Sequence, residues 1–215
     1  MNRIKFKCFL LLCLMAVTGS FSFAQNLSNR GTDFWVGYGH HQFMEAGQNN
    51  SQEMVLYFSA EQAANVTVTI DGTAYVRNYS VPANSVITSE LIPKGGAFDA
   101  RLITLSCTFV PNPVTDACGG EGVFQRKGIH ITSDVPIVAY AHIYGSASSG
   151  ASMLMPVETW GYSYVTLNSK QQYAANCFSW VYAIAQHDNT VIEVTPVATT
   201  RRGKPAGVPF TITLN

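Results

Sequence analysis

Apolar and polar side chains alternate with a period of two through much of the chain. Residues 66–70 read Val-Thr-Val-Thr-Ile, Asp71-Gly72 follows, and a second alternating run returns over 73–81. That order is the signature of a β-hairpin closed by a two-residue turn. The same pattern places further strands at 54–58, 86–91, 102–109, 128–132, 137–144, 162–167, 178–185, 191–195 and 208–214. Gly, Pro, Asn and Ser separate these runs, and beyond the first 24 residues no helical periodicity competes with them; 61–64 is at most a turn. The pattern predicts an all-β protein built of antiparallel, β-sandwich-like units.

An internal repeat refines that picture. Residues 54–70 set over 180–196 match Val55 with Val181, Val68 with Val194 and Thr69 with Thr195, and the YSVPAN of 79–84 is echoed by the FTITLN of 210–215. Shared alternation between any two hairpins is the competing explanation. If the repeat is real, 25–150 forms a first β-unit and 151–215 begins a second, incomplete one. The counterpart of 128–144 would then lie beyond Asn215, and the chain would be the N-terminal piece of a longer polypeptide. A half-built sheet would otherwise leave strand edges open.

The N-terminus reads as an export signal. Arg3, Lys5 and Lys7 precede an apolar run over 8–17, and Ser22 and Ala24 supply small residues for cleavage between Ala24 and Gln25. The apolar run is shorter than the roughly 18 residues of a membrane-spanning helix, and no later segment is long enough. Leu12 before Cys13 does not suit lipidation. Removing 1–24 takes away three basic residues and no acidic one, leaving 10 basic against 13 acidic. A slightly acidic domain without a clustered basic surface excludes nucleic acid as a natural partner. The one basic tract, Arg201-Arg202-Gly203-Lys204, reads as a solvated turn.

Three cysteines follow the signal. Cys107 and Cys118 are the nearest pair for a disulfide in an oxidising compartment, worth about 3 kcal/mol or less for so short a loop. Cys177 is then odd, or joins one of the alternative pairings. Neither CxxC nor a zinc-type His/Cys spacing occurs, so no metal and no cofactor is expected.

Enzyme constellations fail for identifiable reasons. The Gly145–Gly150 segment does not centre a serine between glycines as a nucleophile elbow requires, and reads as a flexible loop. Cys118-Gly-Gly-Glu-Gly122 lacks the phosphate-loop lysine, and His40-His41 with Glu45 lacks the spacing that sets two imidazoles on one helical face. His130 and His142 sit among strand residues, where a satisfied sheet histidine is the plainer reading. Glu158 after Pro156 reads as a turn residue, although glycoside hydrolysis would need such a carboxylate paired with another. Asp134, Asp188 and Asn189 are turn caps by default. Aromatics are the better clue: Trp160, Tyr162 and Tyr164 are candidate ligand-contact residues, while Trp35 and Trp180 suit the core better.

Taken together, GTDFWVGYGHH (31–41), KGIHITSDVPIVAYAH (127–142), MLMPVETWGYSY (153–164), AQHDNTVIEVTP (185–196) and PAGVPFTITLN (205–215) resemble the IgGFc-binding protein N-terminal domain family. That module stands at the front of a mammalian mucus protein and of large secreted or surface proteins of bacteria. The resemblance implies a non-catalytic, extracellular module for adhesion or recognition, with an immunoglobulin, a mucin-like protein or a glycan as partner. It carries no ligand-contact residue over to this chain, and the 107–122 insert departs from it. A structural spacer without a ligand, or an enzyme acting on glycans, are the other classes the sequence leaves open.

Overall fold

The structure is a computed structural model that describes residues 28–39, 41, 43, 49–102, 127–145, 148–170, 179–200 and 203–214. Among these residues nine strands follow in order: β1 (Gly31–Gly37), β2 (Glu53–Ala60), β3 (Ala64–Ile70), β4 (Val76–Val81), β5 (Ser85–Thr88), β6 (Gly128–Gly145), β7 (Ser148–Met153), β8 (Thr190–Val194) and β9 (Phe210–Leu214). All named pairings are antiparallel. The protein is therefore all-β, as the alternation predicts.

The 18-residue strand β6 is the spine of a seven-stranded sheet. Along one edge it pairs first with β3 (Ile129↔Ile70 to Ser133↔Val66) and then with β2 (Ile137↔Ala60 to Tyr144↔Glu53). Along the other edge it pairs with β1 and then β7. Outside β3 and β2 run β4 and β5, in one continuous register. The sheet is thus a ribbon of long strands with a joint across its middle. At that joint Pro136 in β6 and Pro82 between β4 and β5 have no N–H to offer a ladder, and the β1–β6 register slips between Gly31 and Asp33. Asp134 holds the joint on one side, accepting from the Asn65 backbone N–H (2.8 Å) and Nδ2 (2.7 Å). Arg30 and Glu61 form an ion pair on its surface.

The phase of the side chains survives the joint, so the curled, half-barrel sheet keeps one apolar inner face along its length. Met54, Leu56, Phe58 and Ala60 of β2 point inward, and so do Ala64, Val66, Val68 and Ile70 of β3. On β6, Ile129 and Ile131 are followed inward by Ile137, Ala139 and Ala141. With Phe34, Val36 and Tyr38 they form one core. Each large side chain so buried contributes about 1.5–3 kcal/mol relative to exposure.

Several expectations are corrected. The runs at 128–132 and 137–144 are one strand, because the bulge at 133–136 bends the chain without ending it. The Asp71-Gly72 turn opens into a five-residue connection, since Tyr75 turns into the core and pairing with β3 resumes only at Val76. Gly72 takes the left-handed backbone (φ 67°) there. Residues 162–167 and 179–185 form no strand; their alternation finds no neighbouring strand among the described residues. Conversely, β1 and β7 are strands the pattern did not show. Trp35 on the outer side of β1 spoils its alternation, and the SSGASM of β7 has almost no apolar residue, so hairpin pairing with β6 recruits it. The boundary expected at 150/151 falls inside β7.

Beyond β7 the chain is thinly packed. Leu154 and Pro156 are buried against the sheet, residues 161–170 are all exposed, and β8 with β9 makes a separate two-stranded hairpin containing no buried residue. The repeat's β3–β4 hairpin thus has an antiparallel counterpart in β8–β9, whereas 180–186, set over β2, is not a strand.

Candidate binding surface

Alternation that sends Ile137, Ala139 and Ala141 inward sends Tyr140, His142 and Tyr144 outward. Tyr57 of β2 stands directly opposite Tyr140, and on the other edge Tyr140 faces Met153 and Tyr144 faces Ser149. The rings form a row: Tyr57 and His142 lie 5.9 Å apart and His142 and Tyr144 4.9 Å apart, both pairs tilted. The Tyr57 hydroxyl meets His142 Nδ1 at 3.2 Å, and His142 Nε2 meets Ser149 Oγ at 2.7 Å. Val55, the cross-strand partner of His142, is 5% exposed although it lies on this outer face. The rings cover it. Glu53 at the end of the face pairs with Lys94 at 2.5 Å; beyond it, the outward positions of β2, β5, β6 from 138 to 144 and β7 hold no Asp, Glu, Lys or Arg.

A second serine–histidine contact lies at the end of the half-barrel. His41 Nε2 is 3.0 Å from Ser148 Oγ, which also accepts from Gln52 Nε2 at 3.1 Å. The Phe43 backbone N–H donates to His41 Nδ1 at 3.2 Å, so Nδ1 is the acceptor nitrogen and Nε2 carries the proton. A ring in that tautomer donates to the serine and does not withdraw its proton. Burial lowers the His41 pKa. The fully buried Gln52 side chain also donates to the Gly145 carbonyl (2.8 Å), while the Gln52 backbone carbonyl accepts from the Tyr38 hydroxyl and Lys94 Nζ, both at 3.0 Å. Burial pushes the Tyr38 hydroxyl pKa up. Nearby, burial opposes ionisation of Asp99, but hydrogen bonds from the Arg101 side chain and backbone N–H outweigh it, and the Asp99 pKa lies below its ordinary value. The Arg101 Nη2 to Asp99 Oδ2 distance is 2.7 Å.

On the outer side of β1, three glycines make room for aromatic rings. A Cβ on Gly39 would lie 2.2 Å from Trp180, one on Gly37 2.9 Å from Tyr182, and one on Gly128 2.9 Å from Trp35. Tyr182 donates to the Gly37 carbonyl at 3.3 Å. Trp35 stacks on His130 at 4.0 Å, and His130 Nε2 meets Asp33 Oδ1 at 2.8 Å. Trp35 and Trp180, expected in the core, instead lie on this outer side, half-buried and 42% exposed respectively. A Cβ on Gly31 would lie 2.3 Å from Pro156 and 2.6 Å from Glu158, so the 31–37 and 153–160 segments that carry the family resemblance touch one another.

The residues singled out from sequence are not brought together with the ring row. Trp160 is half-buried, its Nε1 donating to the Met155 carbonyl (3.2 Å), while Tyr164 accepts from the Gly161 N–H (2.8 Å) and Tyr162 is fully exposed. Cys107, Cys118, Cys177, the cleavage site at Ala24 and Gln25, His40 and Glu45 lie outside the described residues. Sequence reasoning missed Tyr57, Tyr140, His142 and Tyr144 as a group. The signal was present in the i, i+2, i+4 spacing of 140, 142 and 144, but pairing with Tyr57 depends on register. Among the described residues no helix is long and apolar enough to cross a membrane.

Fold and surface define an antiparallel all-β module that presents an aromatic sheet face whose one charged side chain, Glu53, is paired with Lys94. Residues 150–215 match the family model described as IgGFc binding protein, in agreement with the resemblance carried by the sequence motifs. No curated protein and no solved structure matches the chain.

Proposed function

We propose that this chain is a non-catalytic recognition module, exported by its N-terminal signal and acting at the cell surface or in a secreted matrix. The observation that carries the reading is the row Tyr57, His142 and Tyr144, with Tyr140 beside it, fixed on a rigid sheet and turned away from the core. Tyrosines so placed offer apolar area with a polar edge at small entropic cost. The family match supports an extracellular partner, either an immunoglobulin or mucin-like protein or a glycan. The His41 tautomer supports a structural role for the Ser148 contact rather than nucleophilic catalysis. Passing serum immunoglobulin, mucin and polysaccharides over the immobilised chain tests the reading. Retention of at least one is expected; retention of none, or cleavage of a retained glycan, overturns it.

A further inference from the structure

We propose that the outer face of β2, β6 and β7 binds an uncharged carbohydrate chain, laid across the rings of Tyr140, His142 and Tyr144. This deepens the recognition reading and rests on it. Sugar rings present C–H groups on a face and hydroxyls around a rim, so they suit a surface of ring faces with polar edges. Here the ring edges are free to serve: among the described residues neither the Tyr140 nor the Tyr144 hydroxyl makes a hydrogen bond, whereas Tyr57 and Ser149 are engaged in holding His142. Those restraints limit the side-chain ordering that binding would otherwise cost. The positions from Tyr140 to Tyr144 span about 13 Å along the strand, the footprint of a short oligosaccharide rather than of one sugar.

Charge selects the class of ligand. The one cation beside this face, Lys94, is taken up by Glu53 opposite Tyr144 and by the Asn50 and Gln52 carbonyls, and the outward positions hold no other Lys or Arg, so a sulfated, sialylated or uronic-acid chain would shed hydration with no free cation to meet it. A strongly charged protein surface meets the same obstacle. The lack of a free cation therefore favours a neutral glycan over an acidic one, and an open sheet face with a row of tilted rings favours a glycan over a peptide, which seeks a groove or a strand edge.

An array of neutral and acidic oligosaccharides, with serum immunoglobulin G and mucin as protein probes, tests the assignment on the full chain. Retention of neutral glycans is expected, unchanged by added salt and weakened about tenfold or more by Tyr140→Ala and by Tyr144→Ala. Tyr140→Phe and Tyr144→Phe, which keep the ring and the fold, should weaken it less, and Tyr162→Ala should leave it unchanged. Preference for acidic glycans, loss of binding in salt, or indifference to the Tyr140 and Tyr144 variants overturns the proposal. Retention of a protein probe alone, abolished by the same variants, overturns the glycan class and leaves the recognition face standing. Retention of no probe overturns both.

Discussion

A methyl group on Gly39 would sit 2.2 Å from the Trp180 ring, closer than any side chain tolerates. Gly39→Ala should therefore lift residues 180–184 off β1 while leaving the core intact, at about 1–3 kcal/mol if the ring stays and strains. Limited proteolysis around Trp180 and its fluorescence report which happens; unchanged spectra and cleavage would show that the ring does not rest there. A second residue-scale expectation concerns Phe58, which is fully buried where the two halves of the sheet share one core. Phe58→Ala should cost about 3–5 kcal/mol in denaturant unfolding, and a loss below about 1 kcal/mol would contradict that placement. Phe58 was legible as a core residue because it lies in an alternating strand. The roles of Gly37 and Gly39 were not, since the rings they accommodate lie some 140 positions away.

At the scale of elements, alternation revealed the strands whose apolar residues fall on one side and missed those whose do not. β2, β3, β8 and β9 appear in the sequence nearly as they stand, while β1 carries apolar residues on both sides and β7 has only Ala151 and Met153. The joint was hidden for a related reason. Asp134-Val135-Pro136 looks like a turn, yet the chain re-enters the same ladder in the same inward phase, which only pairing with β2 and β3 reveals. Packing also sets an order of protection. β8 and β9 contain no buried residue, and an isolated hairpin is marginally stable in water, so their amides should exchange orders of magnitude faster than those of β2 and β6. Equal protection of the two sheets would show that the hairpin is packed in solution.

For the whole molecule, acid acts in one direction on His41 and Asp99 at one end of the half-barrel, and on the exposed Glu61, Glu90 and Asp134, whose hydrogen-bond partners also lower their pKa values. His41 has a lowered folded pKa, so the unfolded chain binds more protons as pH falls below the free-histidine value of 6.5, and stability is lost through the lower folded value. Asp99, also lowered, contributes stability that is complete above the ordinary carboxylate range and is lost as pH falls through its folded pKa. Thermal unfolding should therefore show stability falling first below about pH 6.5 and again below about pH 4. Asp99→Asn should shrink the second step, leaving the part due to Glu61, Glu90 and Asp134, and, by leaving Arg101 buried without its charged partner, cost about 3–5 kcal/mol at neutral pH. A melting temperature flat from pH 7 to 3 would contradict both.

The central claim is that recognition occurs on the sheet face carrying Tyr140, His142 and Tyr144, and not on the exposed run carrying Trp160, Tyr162 and Tyr164. Measuring one retained ligand against Tyr140→Ala and Tyr162→Ala side by side tests it most directly. The expected result is loss of affinity in the first variant and none in the second; the reverse order would place the binding surface in the exposed run and contradict the account.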